Sequence, residues 1–206
     1  MTRHMVKPLR FLTRDVLLQE IPGHVSLSYL ITGCPLGCKG CHSADSWDAR
    51  RGESLDITTL QRHLEHSQSY VTCVLFMGGE WQPEALLDLL RVCKTRQLAT
   101  ALYSGLDECP KQFIPYLDFI KLGPWITELG GLASPSSNQR LYDLQQGLCL
   151  NPLFWPTPLP AEPMTTADLL RLGLKPPDMA CHTADLFKTN IKNKGIPICK
   201  HSLRRS

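Results

Sequence analysis

Apolar, strand-like segments alternate with amphipathic, helix-like segments between residues 24 and 123 of this 206-residue chain. Alternating or consecutive β-branched, aromatic and aliphatic residues predict strands at 24–32, 70–76, 98–105 and 118–123. Strands that are joined through helices form right-handed βαβ units, which build a parallel sheet. The sequence therefore predicts an α/β fold that is open or partly closed.

Two of the intervening helices have clear start signals. Asp56 is a good N-cap for a helix in which Ile57, Leu60 and Leu64 lie on one side. Pro83 suits the first turn of the next helix, where its missing N–H group costs nothing. A short or broken helix is predicted at 107–117. These helices supply the crossovers that parallel strands need.

The chain changes character after residue 150. The segment NPLFWPTPLPAEP holds five prolines in thirteen residues, so it forms no regular element and reads as a linker or as a clamp against the domain. One short helix is predicted around 165–174, and the remaining residues are basic and irregular. We therefore predict a domain over residues 1–150 and a Pro-rich linker with a basic C-terminal extension over residues 151–206.

Composition limits the environment and the partners of the chain. A chain in which 43% of residues are hydrophobic can bury one core, but 206 residues are too few for two full domains. The net charge of +3 is thinly spread, which gives no reason to expect a nucleic-acid partner. No apolar run approaches the ~18 residues that span a bilayer, and the N-terminus lacks a secretory apolar region. We expect a cytoplasmic protein with no membrane partner.

Three of the nine cysteines, Cys34, Cys38 and Cys41, follow the first predicted strand within the run ITGCPLGCKGCHS. The odd total argues for reduced thiols rather than a disulfide scaffold. A structural zinc site requires four ligands, and the nearest additional candidate is His42. A [4Fe–4S] cluster held by three thiolates leaves one iron open to a substrate. Glycines at 33, 37 and 40 would let the loop turn tightly around such a cluster. Three incidental cysteines are the alternative.

The spacing Cys-x₃-Cys-x₂-Cys resembles the signature of the radical S-adenosylmethionine enzymes. This resemblance implies that Cys34, Cys38 and Cys41 hold a [4Fe–4S] cluster whose open iron binds the amino and carboxylate groups of S-adenosylmethionine (SAM). It also implies a partial (βα) barrel with parallel strands.

Further candidate residues lie at the ends of the later strands. The run Gly78, Gly79 and Glu80 is similar to the motif with which the same superfamily contacts the methionine amino group. Glycines allow backbone carbonyls to approach, and a carboxylate complements an ammonium group. Alone, this run would indicate only a turn between strand and helix. Cofactor contacts with the ribose or carboxylate are also predicted for Tyr103 and Ser104, with a structural turn as the alternative.

A narrower resemblance covers roughly residues 12–146. The segments ITGCPLGCKGCHSADSWD, GGEW and DFIKLGPWITELGGLASPSSNQRLYDL resemble the activating enzymes of anaerobic, class III ribonucleoside-triphosphate reductases, most specifically at SSNQR. In that segment Asn138 and Arg140 are candidates for the cofactor site or the partner surface, against a solvated loop. The chain departs from the superfamily at Gly40, where an aromatic residue is usual, and at Leu122, where an acidic residue is frequent.

The resemblance implies a reaction and two protein partners. A flavodoxin-like or ferredoxin-like donor reduces the cluster, SAM is cleaved to methionine and a 5′-deoxyadenosyl radical, and a glycyl radical is formed on the large subunit of the reductase. No general base is needed, so no catalytic side chain is predicted.

Other functions remain open at this point. Another radical SAM enzyme, such as a formate-lyase-type activase or a 7-carboxy-7-deazaguanine synthase-like enzyme, would share the cluster and the cofactor. A non-enzymatic zinc or iron–sulfur module would share only the cysteines. A second metal site built from Cys181, His182, Cys199 and His201 is conceivable, although their spacing fits no standard zinc finger.

Overall fold

The computed structural model describes residues 6–175, which form one mixed sheet with helices. The strand order is β3-β1-β2-β4-β5-β6-β7-β8-β9. The strands are β1 (Leu9–Leu17), β2 (Ser26–Ile31), β3 (Glu53–Leu55), β4 (Cys73–Met77), β5 (Ala99–Tyr103), β6 (Phe119–Leu122), β7 (Arg140–Asp143), β8 (Leu148–Cys149) and β9 (Glu162–Pro163). The α-helices are α1 (Ile57–Ser67), α2 (Pro83–Thr95) and α3 (Thr166–Arg171), and short 3-10 helices cover Ala44–Ser46, Lys111–Tyr116 and Asn151–Phe154.

The centre of the sheet is the parallel part that the sequence predicted. Strands β2, β4, β5 and β6 pair in parallel in this order, and α1, α2 and the 3-10 helix at Lys111–Tyr116 lie in the crossovers. Both predicted start signals are present, because Asp56 accepts a hydrogen bond from the Thr59 N–H (2.7 Å) and Pro83 begins α2. A mixed α/β fold with a parallel-containing sheet is therefore confirmed. Closure into a partial barrel stays a prediction.

The outer strands are antiparallel, and the sequence pattern did not predict them. Strand β1 pairs antiparallel with both β2 and β3, while β7, β8 and β9 extend the other edge. Strands β3, β8 and β9 have only two or three residues. So few residues carry no readable periodicity, and only pairing with a neighbour makes them strands.

Both faces of the parallel strands are apolar. Val74 and Phe76 belong to a core cluster that includes Leu60 and Leu86 of the helices. Alternate residues of the same strands, such as Leu75, belong to a second cluster on the opposite face. Burial on both faces explains why β4 reads as a continuous apolar run.

The chain beyond residue 150 continues this sheet as far as the structure describes it. Strand β9 pairs with β8, and the Tyr142 hydroxyl donates a hydrogen bond to Asp168 of α3 (2.6 Å). Leu172 has no exposed surface and packs in the main core cluster. The predicted division at residue 150 stays a prediction, and the rest of the predicted extension lies outside the described residues. Among residues 6–175, no helix has the length and apolar character to cross a membrane.

Candidate functional site

A pocket opens at the carboxyl ends of the parallel strands, where the loops after β2, β4 and β5 meet. This edge is where open α/β sheets usually bind ligands. Most of the predicted site residues line the pocket: Cys34, Cys38, Cys41, Gly78, Glu80, Tyr103 and Ser104. Residues that are more than 60 positions apart in the sequence are therefore brought to one site.

The cysteine loop after β2 is compact and keeps its thiols partly exposed. Cys34, Cys38 and Cys41 are free thiols, and the Cys41 N–H donates to the Cys38 carbonyl (3.1 Å). Burial raises the pKa of Cys34, and the nearby Glu80 carboxylate raises it further. Among residues 6–175, no three His, Cys, Asp or Glu side chains converge as ligands of one metal ion. All three cysteines line the pocket.

The glycine pair after β4 has two different roles. Both residues have a positive φ, 93° at Gly78 and 108° at Gly79, which glycine adopts without strain. Gly78 lines the pocket and donates its N–H to the Tyr103 carbonyl (2.8 Å). Gly79 does not line the pocket, and a Cβ there would lie 3.2 Å from the Leu9 side chain.

Glu80 has a buried carboxylate, and only one of its two oxygens has a hydrogen-bond partner. Its Oε1 accepts a hydrogen bond from the Ser104 hydroxyl (2.5 Å), whereas its Oε2 is buried without a partner. Burial raises the pKa of this carboxyl, and the Ser104 hydrogen bond partly offsets the effect. An unpaired buried carboxylate oxygen is costly, so a ligand that donates a hydrogen bond or carries a positive charge would complete the site.

Sequence reasoning missed Lys121 and Gln139, which also line the pocket. The Lys121 ammonium lies 4.5 Å from the centroid of the Tyr103 ring and 3.5 Å from Gln139 Oε1. Burial lowers the pKa of Lys121 to about 8. The sequence offered one indication of this site, a single lysine inside the otherwise apolar run FIKL of β6.

Asn138 is held beside the pocket but does not line it. Its amide nitrogen donates to the Pro124 carbonyl (3.0 Å), and its Oδ1 is buried without a partner. The SSNQR segment reaches the pocket through Gln139, whereas Arg140 donates to the Ser137 carbonyl (2.6 Å). A cofactor contact by Asn138 stays a prediction.

Three tryptophans contribute to the walls of the site. Trp47, Trp81 and Trp125 line the pocket, and the indole N–H groups of Trp81 and Trp125 are buried without partners. His42, the nearest additional ligand candidate, lies with its ring 4.3 Å from that of Trp125. The residues of the other metal site considered, Cys181, His182, Cys199 and His201, lie outside the described residues.

Comparison with known proteins agrees with this geometry. Residues 22–141 match the family model described as a 4Fe-4S single cluster domain, which covers more than half of the chain. The chain therefore belongs to this family of iron–sulfur proteins.

Two relatives that are named as activating proteins are similar to parts of the chain. The pyruvate formate-lyase-activating enzyme of Clostridium pasteurianum is 37% identical over 76 residues, which are 34% of this chain and 32% of that enzyme. The anaerobic ribonucleoside-triphosphate reductase-activating protein of Enterobacteria phage T4 is 28% identical over 130 residues, 57% of this chain and 83% of the phage protein. The chain thus spans about a third of the first relative and most of the second. The predicted resemblance to radical SAM activating enzymes is confirmed.

Proposed function

We propose that the chain is a radical SAM activating enzyme in which Cys34, Cys38 and Cys41 hold a [4Fe–4S] cluster beside a SAM site. The main support for this proposal is that the three thiols and the Glu80 carboxylate line one pocket. Thiolates are the ligands that iron–sulfur clusters use, and all three thiols line the same pocket. When bound, the reduced cluster supplies the electron that cleaves SAM and so starts radical formation.

The side chains of the pocket bind and orient the cofactor. Glu80 Oε2, which lacks a partner, accepts a hydrogen bond from the methionine ammonium group. Ser104 holds the carboxylate in place through Oε1, so the oxygen that faces the ligand keeps a fixed direction. Trp47, Trp81 and Trp125 exclude water and stray hydrogen donors from the site. The cofactor carries the hard chemistry, and the protein supplies binding and orientation.

The protein partner that we propose is an anaerobic ribonucleoside-triphosphate reductase, on which a glycyl radical is formed. Support comes from the match with the phage protein, which extends over 83% of that relative. A flavodoxin-like or ferredoxin-like protein is the proposed electron donor. The competing target is a formate lyase, which the 37% identity to the clostridial enzyme favours over a shorter segment.

Anoxic reconstitution tests the cluster. The wild-type protein should take up about four iron and four sulfide per chain and cleave SAM after reduction. Cys38→Ala should lose the cluster and the cleavage. The matched control is Cys73→Ala, because Cys73 is buried in β4 and packs as a small hydrophobic residue. A wild-type protein that binds one zinc ion and cleaves no SAM would contradict the proposal.

The target is tested by electron paramagnetic resonance. The reduced, reconstituted protein is incubated without oxygen with SAM and either a class III reductase or a pyruvate formate-lyase. We expect a glycyl radical signal only with the reductase. A signal only with the lyase would contradict the proposed reductase partner and identify a formate lyase as the target.

A further inference from the structure

Leu36 lies midway between the first two cysteines of the cysteine loop and packs against the loop that follows β5. Its side chain is 38% exposed and lines the pocket together with Gly105. A Cβ at position 105 would overlap with Cδ1 of Leu36, so a leucine methyl group occupies the space that any side chain there would need. Gly105 has no positive φ, so the close approach of Leu36, rather than the backbone conformation, accounts for this glycine.

The backbone against which Leu36 packs is held by its neighbours. The Gly123 N–H donates to the Leu106 carbonyl (2.8 Å), and the Leu106 N–H donates to the Ser104 hydroxyl (3.1 Å). On the other side, Pro124 Cα would lie 3.8 Å from a Cβ at position 105. A methyl group added at this position is therefore accommodated by a shift of the cysteine loop rather than by a shift of the loop after β5.

Backbone N–H groups of the cysteine loop are directed at its thiols. The Ser43 N–H donates to Sγ of Cys41, two residues earlier, over 3.4 Å. The Leu36 N–H has the same relation to Cys34, and its hydrogen bond to that thiol opposes the rise in the pKa of Cys34 that burial causes. In iron–sulfur proteins, hydrogen bonds to the sulfurs stabilise the negative charge that reduction adds, so they raise the reduction potential.

We propose that Leu36 is a positioning residue whose contact with Gly105 holds its backbone N–H against Sγ of Cys34, and that this hydrogen bond raises the reduction potential of the cluster. The step concerned is the uptake of one electron by the [4Fe–4S]²⁺ state to give the [4Fe–4S]⁺ state, with the donor protein as the reductant. Leu36 lies within the Cys-x₃-Cys spacing but supplies no ligand itself. This inference rests on the proposed function, which supplies the cluster.

A redox titration of the reconstituted protein without SAM tests the contact. Electron paramagnetic resonance follows the reduced cluster while dithionite lowers the solution potential. Gly105→Ala should displace Leu36 and shift the midpoint potential to a more negative value at unchanged iron content. Leu36→Ala should shift it in the same direction, because the N–H loses its anchor. The matched control is Gly131→Ala, which should leave the potential unchanged. Gly131 also lacks a positive φ, does not line the pocket, and has no atom closer to its Cβ position than 3.6 Å.

The double variant Gly105→Ala/Leu36→Ala shows whether the two positions act through one contact. Its potential should equal that of Leu36→Ala alone, because the added methyl group no longer meets the leucine side chain. Additive shifts, no shift in the single variants, or shifts to more positive potentials overturn the inference. If Gly105→Ala holds no cluster, recovery of the cluster in the double variant supports the contact, and continued loss overturns the inference. A wild type that takes up no cluster overturns the proposed function itself.

Discussion

Glu80 combines a stability cost with the binding role that we propose for it. Its Oε2 is buried without a partner, and its pKa is raised chiefly because burial disfavours the charged form. The folded chain therefore binds this proton more tightly than the unfolded chain does. Stability falls as pH rises from the ordinary value of 4.5 through the raised pKa, and the full penalty is present above that window.

Replacing Glu80 by glutamine should remove this penalty. We expect Glu80→Gln without cofactor to be more stable than wild type at pH 7, and the difference to shrink as pH falls towards 4.5, where the wild-type carboxyl is also neutral. The same variant should bind SAM more weakly, because a neutral amide does not complement an ammonium group. Urea unfolding across this pH range measures the first effect, and titration with SAM measures the second. A stability difference that does not change with pH would refute the explanation.

At the scale of elements, the cysteine loop interlocks with the loop that follows β6. The Thr127 hydroxyl donates to the Lys39 carbonyl (3.4 Å), and His42 packs against Trp125. Gly40 has a φ of 72°, and a Cβ there would lie 2.8 Å from the Thr127 hydroxyl oxygen. The close contact between the two loops therefore explains why position 40 is a glycine, although an aromatic residue is usual there.

Gly40→Ala should disturb this contact and weaken the cysteine loop. The positive φ costs about 1–2 kcal/mol for alanine, and the overlap with Thr127 adds to that cost. Gly37→Ala is the matched control, because Gly37 has a φ of 58° but nothing within 4 Å of its Cβ position. We therefore expect a larger loss of melting temperature and of bound iron in Gly40→Ala. Adding Thr127→Ala should restore part of the difference, and equal losses at both glycines would show that the loops do not interlock.

At the scale of the whole molecule, residues 151–175 pack as part of the main sheet and its core. The Tyr142 hydroxyl donates to Asp168, which also caps α3 through Thr165. Strand β9 pairs with β8, and Leu172 is fully buried. We infer from this packing that the described part of the extension acts as a clamp against the sheet rather than as a free linker.

Two leucines of this segment test its contribution. Leu172→Ala should lower the free energy of unfolding by about 2–5 kcal/mol, because it opens a cavity in the core. Leu170→Ala, which lies in α3 and is 60% exposed, should change it by less than about 0.5 kcal/mol. Denaturant unfolding of both variants gives the comparison. Similar small effects would mean that the segment is not part of the cooperative core.

Sequence reasoning predicted the four parallel strands, because each is a short segment of alternating or consecutive apolar residues bounded by helical periodicity or turns. Most of the predicted site residues line the pocket, since the cysteines, Glu80, Tyr103 and Ser104 lie at or just after the carboxyl ends of strands that meet at one edge. Lys121 and Gln139 could not be assigned, because a lysine within a strand does not indicate which face or which neighbour it meets. Gly79 and Asn138 were grouped with the site by their motifs, but the structure places them beside it.

The sequence by itself determined the parallel core and the thiol-bearing loop, because local periodicity and close cysteine spacing are properties of adjacent residues. Only the tertiary structure decided which opposite charges share the pocket and which loop contacts the cysteine loop. Those outcomes depend on the register of β5 with β6 and on contacts such as that between Lys39 and Thr127, which are 88 positions apart. Such contacts are set by packing, which no local pattern encodes.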